Sequence, residues 1–334
     1  MKSTLILSCL LMTACQLAPD NDDASEPLIT EPPVAFENTY NAENTYRQTV
    51  KSFPHIEIAS RELPDGVSEK TNITYVQYGR RALQLDLYRP EAEAHGPRPA
   101  IVLVHGGGWR SGYRENLTPL AQALAKRGIV SANISYRLAP EAPFPAAIHD
   151  VKAAIRWLRK NADRYGVDPE RIAVGGTSAG GQIASLTGIT AGDPYFDPQA
   201  EHSSVSSDVQ AIVNIDGLSD FTSEEARKYE DDPSKDPSSA GSWFGGRYAE
   251  QTERWHRGSP IYYVHEQMPP IFFLNSAIER FGVGRDEMIE KMEPLGIPYR
   301  VEKIENTPHT FWLFDPWLEP TADYVAETLE AFWQ

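Results

Sequence analysis

The sequence predicts an α/β protein with a mostly parallel central sheet flanked by helices. Three observations carry that prediction. From about residue 71 onward, strand-like apolar runs alternate with segments of helical period. One run, "AIVLVHGGG" at 100–108, is apolar without interruption until its glycines, as a strand buried on both faces must be. Apolar residues make up 41% of the 334, enough for one sizeable core.

The elements follow in order. "TNITYVQY" and "ALQLDLYRP" read as two antiparallel strands joined by Gly79-Arg80-Arg81, and "AIVLVHGGG" is the third strand. A helix is expected around Leu117–Lys126, then the strand "IVSANISYR". Ile148, Val151, Ile155 and Leu158 recur at spacings of three and four, the apolar face of a helix ending near Gly166. "RIAVGG" is a strand, and a helix starts at Ala179. "AIVNIDG" and "IFFLNS" are the sixth and seventh strands. "MIEKMEPLGI" is mainly helical, "YRVEKI" is a strand, and residues 320–333 form the last helix. Residues 217–268 break the alternation between strands six and seven. They are acidic, punctuated by Pro and Gly, and carry Trp243, Phe244, Tyr248 and Trp255, which suits a small folded insertion better than a structureless loop.

The chain starts like an exported protein. Lys2 precedes an apolar run, Leu5 to Met12, that is too short to span a bilayer permanently. "LMTAC" resembles a bacterial lipobox, which implies removal of residues 1–14 as a signal, lipidation of Cys15 and, with Gln16 rather than Asp behind it, an outer-membrane or cell-surface lipoprotein facing the periplasm or the exterior; an ordinary cleaved signal peptide is the alternative. Residues 16–50, beginning rich in Pro, Asp, Glu and Asn, are expected to be a flexible tether to a catalytic domain at 55–334. The only other cysteine, Cys9, lies inside the signal, so no disulfide is expected in the mature chain. No Cys/His cluster has metal-ligand spacing, and no metal or other cofactor is implied. A net charge of −16 argues against nucleic acid as a partner, and leaves the lipid anchor as the expected link to a membrane.

Chemistry concentrates at two glycine-rich turns. Gly176-Thr177-Ser178-Ala179-Gly180 fits G-x-S-x-G between a predicted strand and a predicted helix, the context of a nucleophile elbow. Small neighbours permit the sharp turn that would expose the Ser178 hydroxyl at the carboxyl end of the sheet. His105-Gly106-Gly107-Gly108-Trp109 follows the third strand directly. Bare glycine amides can approach a developing oxyanion, so Gly106, Gly107 and the first helical amide, Ala179, are the candidate donors. Neither G-x-G-x-x-G spacing nor a P-loop lysine is present to make this a nucleotide loop.

"HGGGW", "YRLAPEAPFPAAIHDVKAAIRWL" and "GGTSAGG" together resemble the α/β-hydrolase superfamily, and within it the hormone-sensitive-lipase-like and related bacterial esterases, from about residue 71 to the C-terminus. "NIDG", "SWFGG", "GSPIYYV", "RFGVGRDEM" and "TPHTFWLFDPW" resemble a narrower branch of bacterial carbohydrate esterases, some acting on pectin. The resemblance implies the order nucleophile, acid, histidine along the chain. His309, in "NTPHTFW" after the last predicted strand, is then the general base. The acid normally follows the seventh strand. Asp286, favoured by the "GRD" run, and Glu279, four residues beyond Asn275, both stand there, and Asp216 at the end of the sixth strand is the third choice.

These residues imply a serine ester hydrolase working through an acyl-enzyme. The narrower resemblance implies that it removes acetyl or methyl esters from a polysaccharide. A general short-chain carboxylesterase, an amidase, formamidase or peptidase on the same scaffold, and a non-catalytic glycan-binding surface protein are the alternatives. Trp109 beside the oxyanion loop is the candidate substrate platform, and Arg285 and Arg110 are candidate partners for a uronate carboxylate. Phe311, Trp312 and Trp317 lie near the base, where core packing explains Phe311 and Trp312 as well as substrate contact does.

Overall fold

The computed structural model describes residues 27–32, 38–92, 96–198 and 202–334. The export signal, Cys15 and the first part of the expected tether lie outside the described residues. The last part of that tether is ordered. Helix α1 (Ala42–Thr49) starts at Asn41, whose side chain accepts from the Asn44 amide at 2.8 Å. Tyr46 of α1 packs against Phe314, ring centroids 6.3 Å apart.

After a short strand β1 (Glu57–Ile58), an antiparallel pair, β2 (Val67–Tyr78) and β3 (Arg81–Pro90), opens the main sheet. Then come β4 (Arg98–Val104), α2 (Thr118–Lys126), β5 (Val130–Ile134), α3 (Ala146–Lys160), α4 (Ala162–Tyr165), β6 (Val167–Thr177), α5 (Ala179–Ile189) and β7 (Ala211–Ile215). The region before β8 (Ile271–Asn275) holds α6 (Glu224–Glu230), α7 (Ser239–Phe244) and α8 (Thr252–Arg257). Finally α9 (Arg285–Met292), β9 (Tyr299–Lys303), β10 (Phe314–Asp315, paired with β1) and α10 (Leu318–Phe332) complete the chain.

The eight-stranded sheet runs β2-β3-β5-β4-β6-β7-β8-β9, parallel from β5 to β9 and antiparallel at the β2 and β3 edge. Period-two alternation divides its side chains between two cores. Ala100, Val102, Val104, Val174 and Ile212 face α3 and α5, whereas Ile101, Leu103, Ala173, Val213 and Leu274 face α2 and α10. Ile148, Val151, Ile155 and Leu158 of α3 are all fully buried. β4 is flanked by β5 on one side and β6 on the other, so the chain reverses its direction of travel across the sheet there. Such a reversal opens a crevice at the carboxyl ends of the strands, and the glycine loop after β4 and Ser178 after β6 both emerge into it.

The stretch between β7 and β8 has its own aromatic core. Trp243, Phe244, Trp255 and Phe221 are fully buried. Trp243 stacks on Trp109 at 5.3 Å and Phe144 meets Trp243 edge-on at 5.0 Å, which fastens this region to the oxyanion side of the crevice. Among the described residues no helix is long and apolar enough to cross a membrane.

Candidate active site

Ser178 occupies the junction of β6 and α5 at φ 53°, ψ −122°, a left-handed conformation that costs a residue with a side chain of order 1–3 kcal/mol. Its amide is tied to the Ile215 carbonyl at 2.7 Å. The flanking glycines are required by contact: a Cβ on Gly176 would strike the Gly180 carbonyl group, and a Cβ on Gly180 would strike the Val104 carbonyl. The turn thus folds only with these small residues, and it lifts the Ser178 hydroxyl to the rim of the sheet.

His309, in the loop after β9, brings Nε2 to 2.8 Å from Ser178 Oγ. Its Nδ1 lies 2.8 Å from Asp216 Oδ2. A carboxylate only accepts, so Nδ1–H donates to it, and the Nε2 lone pair faces the serine hydroxyl. Asp216 directly follows β7, is 1% exposed and has φ 54°. Its other oxygen accepts from the Ser276 amide at 2.8 Å and from Asn275 Nδ2 at 3.2 Å, so both carboxylate oxygens have donors. The imidazole lies flat against Phe281, centroids 3.3 Å apart and 9° from parallel, with Trp312 edge-on at 5.2 Å. Burial holds the His309 pKa below its ordinary value; Asp216 opposes that shift and the Arg280 charge adds to it. The ring is therefore neutral near pH 7, as a base must be.

The carboxylate that meets the imidazole is consequently Asp216, and neither Asp286 nor Glu279. Asp286 lies in the first turn of α9, its side chain 72% exposed and paired with Arg285 at 2.7 Å. Glu279 is exposed in the short turn Glu279–Gly282. The physical reason is the path of the β8 exit loop, which lays Phe281 on the imidazole and leaves Glu279 and Asp286 in solvent. β7 is the immediate neighbour of β6, with Thr177 in register with Ile215, so Asp216 stands one strand spacing, about 4.8 Å, from the nucleophile strand.

The glycine loop lies against the nucleophile because it has no side chains. A Cβ on Gly106 would come within 2.7 Å of the Thr177 carbonyl and 3.0 Å of Ser178 Cβ. Tyr136 donates to the His105 carbonyl at 3.0 Å, and His105 Nδ1 donates to the Gly106 carbonyl at 2.8 Å. In a trans peptide the N–H points opposite the C=O, so these two bonds fix the directions of the Gly106 and Gly107 amides. Burial pushes the His105 imidazole down to about 4, which keeps it neutral in this role. Among the described residues no acceptor is bonded to the amides of Gly106, Gly107 or Ala179. Ala179 is the first residue of α5, where helical amides are unpaired and the helix dipole is positive.

A cavity of about 100 Å³ sits over Ser178, walled by Gly108, Trp109, Leu218, Glu230, Ser239, Arg280 and Phe281. Larger hollows of 250 and 310 Å³ do not contain the serine. Trp109 is a wall rather than a platform: it is 5% exposed, sandwiched against Trp243, and its Nε1 donates to Gln182 at 2.9 Å. Arg285 is not in the cavity. It bonds Asn275 Oδ1 at 2.7 Å and lines the 310 Å³ hollow beside Asp286. Arg280, Glu230, Ser239 and Phe281 are the wall residues that sequence reasoning missed. Nothing in their local sequence marks them, since their role depends on how two distant segments meet.

A family model, BD-FAE, matches residues 85–280. The chain belongs to that family. Esterase LipQ of Mycobacterium tuberculosis is 34% identical over 236 residues, covering 70% of this chain and 54% of the relative, so the chain spans about half the length of that protein. Among solved structures, a truncated carbohydrate esterase from gut microbiota matches with a TM-score of 0.68 at 21% identity, covering 82% of this chain and 100% of that one. An esterase of the planctomycete Thermogutta terrifontis, Est2 with propionate bound, matches with a TM-score of 0.62 at 24% identity, over 81% of this chain and 94% of the other. These likenesses establish the fold as that of the α/β-hydrolases, as the motifs implied.

Proposed function

We propose that the chain is a serine carboxylic-ester hydrolase that takes acetyl or methyl ester groups off a polysaccharide or its oligosaccharides. The observation that carries the reading is the continuous line of 2.8 Å contacts from Ser178 Oγ through the His309 ring to Asp216. In this reading the serine oxygen bonds to the ester carbonyl carbon while its proton passes to Nε2. The tetrahedral oxyanion accepts from the amides of Gly106, Gly107 and Ala179. Nε2 then returns the proton to the alcohol oxygen, the C–O bond breaks, and an acyl-enzyme remains. Water, deprotonated by the same nitrogen, releases the acid and restores Ser178. Asp216 holds the ring in the required tautomer and stabilises its cation.

The carbohydrate part of the reading draws support from the carbohydrate esterase among the structural neighbours and from the polar wall of the cavity. A second reading, a general short-chain carboxylesterase, draws support from the cavity's small volume and from the esterase names of its relatives. Incubation with acetylated and with methylated polysaccharides, followed by assay of acetate and methanol, separates them. Release of either product by wild type and not by Ser178→Ala supports the first reading. Turnover of simple esters alone leaves only the second. We also propose that Cys15 carries a lipid anchor, with the export-type run before it as support. Labelling with a fatty acid in a bacterial expression host should fail for Cys15→Ala; equal labelling of both forms rejects it.

A further inference from the structure

This inference rests on the ester-hydrolase reading, in which the alcohol departs on the His309 side because Nε2 must supply its proton. That side of the cavity carries a charged pair that the catalytic steps do not use. Phe281 covers the His309 ring, and the next side chain back, Arg280, lays its guanidinium over the Phe281 ring at 4.4 Å. Tyr229 flanks the same guanidinium at 5.1 Å, so two rings hold it in place. Arg280 Nη2 stands 3.5 Å from Glu230 Oε1, close enough for charge attraction and too long for a good hydrogen bond. Both residues line the cavity over Ser178, and Glu230 is only 9% exposed.

Among the described residues neither the Arg280 guanidinium nor the Glu230 carboxylate makes a hydrogen bond. A buried carboxylate without donors is costly, and its burial raises the Glu230 pKa although Arg280 opposes the rise. The cavity thus offers unused acceptor oxygens beside unused N–H donors. A hydroxyl can give its proton to the first and accept from the second, and two adjacent hydroxyls can satisfy both groups at once. An apolar alcohol would take water from the Glu230 carboxylate and leave it only the long contact to Arg280. A uronate would be drawn by Arg280 and repelled by Glu230, so the pair as a whole selects for a neutral group. The small cavity leaves room for a short acyl group, with the ring at its mouth.

The geometry points to Glu230 and Arg280 as a specificity-determining pair that reads adjacent hydroxyls on a neutral sugar ring, the leaving alcohol of a short acyl ester. The test compares kcat/KM for ethyl acetate, a mono-O-acetyl methyl glucoside and the corresponding methyl glucuronide, with wild type, Glu230→Gln and Arg280→Gln. Wild type should favour the glucoside over both others. Glu230→Gln should lower glucoside turnover about 10- to 100-fold, the range of a hydrogen bond to a charged group, and should move preference toward the glucuronide, which Arg280 then attracts unopposed. Arg280→Gln should lower the glucoside preference without that shift. A merely structural ion pair would depress all three substrates in parallel with unchanged ratios, and that result overturns the proposal. Wild-type turnover of ethyl acetate with no glucoside preference overturns it too while sparing the ester-hydrolase reading. Failure of wild type on every acetate removes both. Should Glu230→Gln not fold, the Arg280→Gln ratios decide.

Discussion

The carboxyl ends of β4, β6 and β7 and the wall that faces them are built on different principles. At the strand ends, backbone geometry sets everything: glycines that tolerate no Cβ, a serine and an aspartate at positive φ, and amides aimed by bonds to their neighbouring carbonyls. The wall that faces them is made largely of side chains from two segments far apart in sequence, the α6–α7 region and the β8 exit loop, which meet through the 3.5 Å Arg280–Glu230 contact and through Arg280 against Tyr229. The first arrangement has no freedom and suits chemistry common to many esters. The second can change residue by residue without disturbing the first, and suits choice among substrates.

The largest test of that division is Ser178→Ala. It should lower kcat by about 10⁴- to 10⁶-fold while the unfolding temperature stays within a few degrees; a loss of folding instead would mean that the strand ends are not independent of the nucleophile. Next comes Asp216→Asn, which leaves the ring in the wrong tautomer and should lower kcat about 10⁴-fold. Asp286→Asn and Glu279→Gln, both exposed, should stay within about two-fold by the ordinary behaviour of surface changes. Steady-state kinetics of these three variants would reverse the assignment if Asp286 proved the sensitive one.

The same division explains what was legible in the sequence. The strands could be read because β4 to β8 are apolar runs buried on both faces, and Ser178 and the glycine loop because their backbone needs small residues at fixed spacing. His309 stood out by its place after the last large-sheet strand. The acid did not, because three carboxylates follow the two candidate strands and only the path of the loops after them tells which reaches the imidazole. The signal available was the Asp216-Gly217 step ending an apolar run next in the sheet to the nucleophile's strand. Arg285 stands out in the sequence by its charge, but Arg280, five residues earlier, lines the cavity, and nothing short of the loop's path distinguishes them. The ordered helix α1 was hidden by polar composition. Its burial rests on few residues, Ala42 and the ring of Tyr46 among them.

The pH profile sharpens the comparison where wall meets machinery. His309 must be neutral to act, and its pKa lies below the ordinary histidine value of 6.5, chiefly through burial. The acid limb of kcat/KM should therefore fall below pH 6.5, activity being present above it and lost as pH drops. Asp216 raises that pKa and Arg280 lowers it. Arg280→Gln should thus move the limb to higher pH, and Asp216→Asn, in what activity remains, to lower pH. A limb that stays put in Arg280→Gln would mean that the wall does not reach the base electrostatically.

A smaller effect than those at Ser178 and Asp216 lies behind the glycine loop. Asn38 spans both polar groups of Gly112: its Oδ1 accepts from the Gly112 amide at 2.7 Å and its Nδ2 donates to the Gly112 carbonyl at 3.1 Å. Gly112, at φ 106°, has no room for a Cβ against the Gly106 carbonyl and His105 Nδ1, the two groups whose bond aims the Gly107 amide. The clasp therefore presses on the oxyanion donors without touching substrate. Removing it in Asn38→Ala deletes two hydrogen bonds of about 1 kcal/mol each, part of which the loop recovers from water. The expected result is a fall in kcat of roughly 3- to 10-fold with little change in KM, since the donors act mainly on the transition state. Asn38→Asp, which keeps the acceptor and loses the donor, should fall between the two. A rise in KM at constant kcat would place Asn38 with the wall instead of the strand ends.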